Sequence, residues 1–439
     1  MAQPRRTRIA IVGAGIAGLT AAIALQGQPH LDVQIYERAA QLQEVGATIA
    51  LGPNGLRILD DLGIAEALTD DVGFRNHTAR SMIYRHYQTD EDISADVHNG
   101  PVQYKHQTAR FFRPHLQKVL LNHIKPGRLH LNKAFQSIQR IPPNDFLTIH
   151  FQDGTSVEAD LVFGADGIHS AVRRTFLPGT TAEWTGHIFF RTVVPRSHYE
   201  HIKDLPNEAV HYWGPDRTLF LSPLPQNLYA VVAAYQADPK DPSGSYKVSE
   251  WDKDADVASL RPLYKDWSPL TRAILDATPH VKVYPNTAAK ELDTWILGDG
   301  RVTLGGDAAH AHGGAYAAGG SLAINDAWAF AQSVVHYIPA TSTSSLNDQT
   351  SAKILRLYER TRKPHTDRVQ RTVQQRNKFL VDQIKKTQTD AQLRKAMAKR
   401  DHLSWLHEHD VQAAFDNALA DQSGPPVIQP EEVRAQAHL

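Results

Sequence analysis

Six residues near the start of the chain, Gly13-Ala14-Gly15-Ile16-Ala17-Gly18, have the types and spacing that phosphate binding requires. Gly13 permits a tight strand-to-helix turn, Gly15 lets backbone approach a pyrophosphate, and Gly18 lets the helix pack closely on its strand. The phosphate charge would sit at a helix N-terminus, where free N–H groups and the helix dipole favour an anion. Glu37 follows Gly18 by 19 residues, close to the ~20 at which an acid on the second strand reaches a ribose hydroxyl. This is dinucleotide chemistry, and the unit by itself suits NAD or FAD. Two later segments repeat the strand-then-glycine theme: Asp160-Leu161-Val162-Phe163-Gly164-Ala165-Asp166-Gly167-Ile168-His169-Ser170-Ala171-Val172-Arg173, and Val302-Thr303-Leu304-Gly305-Gly306-Asp307-Ala308-Ala309-His310.

The elements that must position these residues are legible in the surrounding pattern. Arg8–Val12 is a short β-branched run suited to a buried parallel strand. The small apolar run Leu19–Leu25 suits a close-packed helix, and Asp32–Glu37 a second strand, which completes a right-handed βαβ unit. From Gly186 to Tyr235 the pattern changes to short β-rich runs, His187–Val194, Ala209–Trp213, Thr218–Leu221 and Leu228–Tyr235, separated by turn residues; antiparallel sheet is expected. Beyond Pro339 the chain reads as a surface loop (340–345), then polar helices, then a Pro-containing tail from Ser423 expected to pack loosely. The basic stretch from Lys385-Lys386 to Lys399-Arg400 reads as a solvated helix face.

Composition sets the outer limits. The 439 residues carry 47 Lys+Arg against 47 Asp+Glu, so formal net charge is zero, which argues against a general nucleic-acid binder. There is no cysteine, so disulfides, thiolate metal sites and cysteine nucleophiles are excluded. No apolar run approaches the roughly 20 residues of a membrane helix, and the basic start enters a strand without a signal-peptide core, so a cytoplasmic protein is expected. The 23 histidines lack ligand spacing, and no metal site is expected.

Taken together, Gly-Ala-Asp-Gly with Ser170 and Arg173, and Gly-Gly-Asp-Ala-Ala-His, resemble the second and third fingerprints of the single-component (group A) flavoprotein aromatic hydroxylases. The resemblance runs over nearly the whole chain. Glu44-Val45-Gly46-Ala47, Pro53-Asn54-Gly55 and Arg57-Ile58-Leu59 resemble the loop and helix beside the flavin ring, and Phe112-Arg113-Pro114-His115-Leu116 the segment bearing an FAD-contacting Arg. Tyr358–Pro364 resembles the entry to the C-terminal helix. The resemblance implies an α/β fold with three parts. These are a discontinuous Rossmann-like FAD domain (1–75, 105–180, 285–340), an inserted antiparallel substrate sheet (76–104, 181–284) and a helical C-terminal region (341–439). Gly13, Gly15, Gly18 and Glu37 would hold the ADP half of FAD, with Arg38 a further cofactor-binding residue. Ala47, Arg113, Asp307, Gly319 and Gly320 would meet its ribityl and ring portions. Asp166 to Ser170 would serve FAD and a transient NADPH or NADH, with strand-end capping as the rival role of Asp166.

One segment departs from the family pattern: Gly314 stands where the family has Pro, and Ala318 where it has Gln. The His312-Gly313-Gly314 variant resembles fungal salicylate-hydroxylase-like and phenol-dearomatising enzymes. The implied reaction is hydroxylation of a small phenolic aromatic by NAD(P)H and O₂ through a flavin C4a-hydroperoxide, with or without dearomatisation or decarboxylation. A phenolate attacks better than a phenol, so a cation in the substrate sheet is called for. Arg191, in the apolar run Phe189-Phe190-Arg191-Thr192-Val193-Val194-Pro195, is the first candidate. Tyr212 and His312 are the further catalytic candidates, with Ser222 and Tyr235 behind them, while His310 reads as structural. Competing readings are an FAD monooxygenase or epoxidase of a non-phenolic substrate, and a flavin-binding redox protein without turnover. A flavin halogenase is disfavoured because no Trp-x-Trp-x-Ile-Pro segment occurs. A homodimer is common among such enzymes.

Overall fold

A computed structural model describes residues 5–42, 48–141, 145–237, 247–341, 346–384, 389–400 and 403–421. The expectations for Ala47 and its neighbours 44–46, for Lys385-Lys386 and for the tail from Ser423 therefore lie outside the described residues. One part is built on a five-stranded parallel sheet. Its order is Val302–Leu304, Leu161–Gly164, Thr7–Val12, Leu31–Tyr36, Leu129–His130. Near-continuous apolar runs let these strands be covered on both faces, and Ile9, Ile11, Val33, Ile35, Leu161 and Val302 are buried. Helix Ile16–Leu25 packs against helix Gly319–Tyr337, which in turn packs on the long helix Asp348–Ile384. All three glycine motifs of the sequence thus fall at the C-terminal ends of adjacent parallel strands, the position where open α/β sheets bind ligands.

The second part is an eight-stranded sheet. The four β-rich runs of the middle region become strands Glu183–Pro195, Val210–Trp213, Arg217–Leu224 and Leu228–Gln236. Strands Arg80–His86 and Asp92–Val97 join from earlier in the chain, Lys253–Ala255 and Val281–Ala288 from later. Neighbours run antiparallel except Val210–Trp213 beside Arg80–His86, which are parallel. The register aligns Arg191, Val232, Phe220, His211 and Tyr84 in one row across five strands. Because strand side chains alternate, their sequence neighbours Phe190, Val231, Leu219, Leu221, Val210 and Tyr212 point the other way. There they form an apolar core with Tyr264, Trp267 and Ile274, each such burial contributing about 1.5–3 kcal/mol. The fold is therefore α/β with a Rossmann-like parallel core, an antiparallel-rich second sheet and C-terminal helices, as the sequence predicts. No helix among the described residues is long and apolar enough to cross a membrane.

Candidate functional site

The first glycine loop is shaped by close backbone contact. Gly13 adopts φ +103°, and a Cβ there would lie 2.5 Å from the Ala165 carbonyl oxygen; a Cβ on Gly18 would lie 2.0 Å from the Gly13 carbonyl oxygen. Gly15 is the opposite case: a Cβ on it would meet nothing within 4 Å. It caps helix Ile16–Leu25 with extended backbone, with no side-chain hydrogen bond and no acid in the first turn. Free N–H groups and an unblocked approach are what a pyrophosphate needs. Glu37 directly follows the strand Leu31–Tyr36 and ties the loop down: its Oε2 accepts from the Ala14 N–H at 2.8 Å and its Oε1 from the Ala39 N–H at 2.9 Å. Arg38 follows on the exposed surface.

The second and third motifs are knitted to each other. The Asp166 carboxylate accepts from Ser170 Oγ at 2.5 Å, Ala171 N–H at 2.7 Å and Val172 N–H at 3.1 Å. It caps the short helix Ala171–Phe176, and its side chain does not line the cleft; the capping role is the one the structure displays, with Ala165 and Gly167 as the cleft residues of this motif. Arg173 is buried and donates to the carbonyls of Ala308 (2.8 Å) and Ile168 (2.6 Å), so it joins the two loops. Behind Gly306-Asp307 lies a buried clamp the sequence reading did not find. Asp326 takes the Gly306 N–H (2.9 Å), His310 Nε2 (2.5 Å) and Arg362 Nε (2.8 Å). Burial opposes the Asp326 charge, but His310 and Arg362 win and hold its carboxyl well below the ordinary carboxylate range. His310 is thus structural, as expected, and Asp307 itself is exposed to the cleft.

A single cleft of about 1240 Å³ runs from Gly15 past Gly306, Asp307, Gly319 and Gly320 onto the face of the eight-stranded sheet. That exceeds the 300–1,000 Å³ typical of a site for one small molecule, so a cofactor portion and a substrate can share it. At Gly320 a Cβ would strike Ile49 at 2.6 Å, so this glycine serves packing against strand Thr48–Leu51 as well as the cleft wall. Arg113 opens helix Arg113–Asn122 and lines the cleft. His312 is buried at the cleft wall, 3.5 Å from where a Gly319 Cβ would be. The loop that departs from the family pattern is locked by its backbone: Gly314 has φ +66°, which proline cannot adopt. Tyr316 (φ +58°) and Ala317 (φ +52°) are left-handed too, a conformation that costs non-glycine residues of order 1–3 kcal/mol each and clusters at ligand sites.

On the sheet face, Arg191 lies with its guanidinium carbon 5.0 Å from the ring centres of both Phe189 and Tyr284. A Cβ on Gly314 would be 3.8 Å from its Nη2. Burial pulls its pKa down; of its titratable neighbours Tyr284 opposes that and Arg113 adds to it. No carboxylate among the described residues pairs with it. Two cation–π contacts supply about 1–4 kcal/mol against a desolvation cost of several kcal/mol, which leaves the guanidinium ready for an anion. Tyr212 is not brought to this face. It is fully buried beneath the sheet, where its hydroxyl accepts from Arg85 Nη1 at 3.3 Å. Its strand neighbours His211 and Trp213 line the cleft instead. Ser222 and Tyr235 also line it, Ser222 donating to its neighbour Pro223's carbonyl at 2.7 Å and Tyr235 stacked on Phe190. His211, enclosed near Arg376 and Arg400, is pushed down to about 3 by burial first, and His187 to about 4. Arg400 departs from the expected solvated face: it turns inward, pairs with Asp96 and lies 3.7 Å over the Tyr84 ring.

Comparison with known proteins agrees with this geometry. Residues 6–373 match a family model described as FAD binding domain. A 6-hydroxynicotinate 3-monooxygenase of Bordetella bronchiseptica is 28% identical over 373 residues, 83% of this chain and 90% of the relative. A salicylate hydroxylase of Pseudomonas putida is 28% identical over 423 residues, 92% of each chain. Among solved structures, a salicylate hydroxylase substrate complex superposes with TM-score 0.76 at 21% identity, covering 97% of this chain and 99% of that one. Klebsiella pneumoniae HpxO with FAD and uric acid gives 0.68 at 21%, covering 95% and 98%.

Proposed function

The chain belongs to the FAD-binding domain family, and from that premise we propose that it is an NAD(P)H-dependent monooxygenase that hydroxylates a phenolic aromatic. The residues present fit FAD: Gly15 leaves open space at an uncapped helix N-terminus, and Asp307 is exposed to the same cleft. Gly13 to Gly18, Glu37 and Arg38 would hold its ADP half, Arg113 and Asp307 its linker, and Gly319-Gly320 its ring edge. Bound FAD, reduced by NADH or NADPH, supplies the activation of O₂.

The observation that carries the substrate reading is Arg191, an aromatic-flanked cation without a carboxylate partner among the described residues, beside the Gly314 loop. Its N–H groups would bind a phenol oxygen as phenolate, stabilising the deprotonated ring that is the better nucleophile. Phe189 and Phe220 would supply apolar surface for the ring, and His312, at the cleft wall, would be the further residue to meet a substrate oxygen. The relatives named for hydroxynicotinate and salicylate support an electron-rich hydroxylated ring as substrate class.

The test is NAD(P)H oxidation by the purified yellow protein with and without a panel of phenols that includes salicylate and resorcylic aldehydes. Oxidation stimulated by a phenol, with a product heavier by one oxygen atom, is expected. A yellow protein inert to both nicotinamide cofactors contradicts the proposal.

A further inference from the structure

Besides Arg191 and Arg113, the cleft is lined by Arg376, a cation that the hydroxylation chemistry does not use. Arg376 lies on helix Asp348–Ile384, on one face with Arg368 and Thr372 at helical spacing, three residues beyond the segment that matches the FAD-binding family. Its guanidinium carbon is 4.9 Å from the Tyr316 ring centre and 5.6 Å from that of Trp213. The rings cover its faces, and no acid among the described residues pairs with its N–H edges. Nearby Arg400 is different, because Asp96 neutralises it. His187 and His211, within range of the Arg376 charge, stay neutral. Arg376 is therefore an uncompensated positive charge at the cleft wall.

The spacing of their aromatic partners on the sheet, Phe189 beside Arg191 and Trp213 beside Arg376, sets a length. Trp213 stands three strands from the Arg191 strand, in the row Phe189, Ala234, Thr218, Trp213, which is about 14 Å at ~4.8 Å per strand. The floor between the two is made by Val232, Ala234, Thr218 and Phe220, with the Arg110 guanidinium over the Phe220 ring. A single hydroxylated ring seated on Arg191 leaves this far end empty.

We propose that the substrate is a hydroxylated aromatic about two rings long, whose far end carries a carboxylate bound by Arg376. This rests on Arg191 as the partner of the reacting hydroxyl. Arg376 is then a specificity residue: it fixes length and charge at the end remote from the oxidised carbon, while the aromatic pair Trp213 and Tyr316 holds the guanidinium plane.

The test uses the FAD-loaded protein and a matched pair of probes, para-hydroxybiphenyl and the same compound with a carboxylate on the far para carbon, with affinity read from perturbation of the flavin absorbance. The wild type is expected to bind the carboxylated probe at least about tenfold more tightly, roughly 1.4 kcal/mol. Arg376→Gln removes that preference, Arg376→Lys keeps part of it, and Arg191→Gln weakens both probes alike. Equal affinity of the wild type for the two probes, or a preference that survives in Arg376→Gln, overturns the assignment of Arg376 and leaves the phenol reading standing. If neither probe nor any simple phenol perturbs the flavin, both readings fall.

Discussion

Gly13, Gly15 and Gly18 on one side of the cleft, and Arg191, His211 and Trp213 on the other, act through different parts of the chain. The glycine side works by backbone: peptide groups approach one another so closely that a single Cβ would lie 2.0 Å from a carbonyl oxygen. Its polar side chains, Glu37, Asp166, Arg173 and Asp326, are engaged with the protein itself. The sheet side works by side chains, and its key cations are left without carboxylates among the described residues. A binding region for an invariant cofactor can be rigid and self-satisfied, whereas a substrate face needs groups whose partners arrive with the ligand.

That contrast can be broken experimentally. The largest effect is expected at the backbone-made side: Gly18→Ala forces its methyl group into the Gly13 carbonyl and yields no stable yellow holoprotein, read as flavin retained after gel filtration. A Gly18→Ala protein that keeps FAD stoichiometrically shows that close packing is not what forms the cradle. Next, Asp326→Asn breaks a buried ion-pair cluster and lowers stability by about 3–5 kcal/mol in chemical denaturation. Since the Asp326 pKa is depressed in the folded state, its contribution is complete above the unfolded carboxylate value of about 3.9 and lost as pH falls below it. The variant should therefore show a shallower acid limb than the wild type; parallel limbs contradict the clamp.

The smallest effects separate neighbours on one strand. Tyr212→Phe removes only a hydrogen bond beneath the sheet, costing about 1 kcal/mol of stability and changing phenol turnover less than threefold. His211→Ala, one residue away, should alter KM for the aromatic substrate more than it alters stability. The reverse ranking in steady-state kinetics and thermal unfolding would mean the sheet presents its other face.

How much of this was legible beforehand follows the same division. A glycine loop between a strand and a helix constrains the backbone through residue type alone, so Gly13 to Gly18 and Gly305 to His310 could be located and given work. The sheet could be located too, but a strand's neighbours face opposite ways, and only the register that aligns Arg191 with His211 tells which face meets the cleft. Tyr212 was one residue off for that reason. Asp326 and Arg362 meet across 36 residues in two helices, and Arg400 meets Asp96 across 304; no local pattern announces such pairs. Gly314 was visible as a departure, but its meaning, a left-handed residue beside Arg191, needed the backbone.

The central claim is that Arg191 receives the phenol, and it is tested most directly by comparing wild type with Arg191→Ala in phenol-stimulated NAD(P)H oxidation, with FAD content measured on the same samples. The account predicts full FAD content and a kcat/KM for the phenol at least about 30-fold lower, the ~2 kcal/mol or more expected when one partner of a desolvated charge pair is removed. Unchanged kinetics at full FAD content would contradict it.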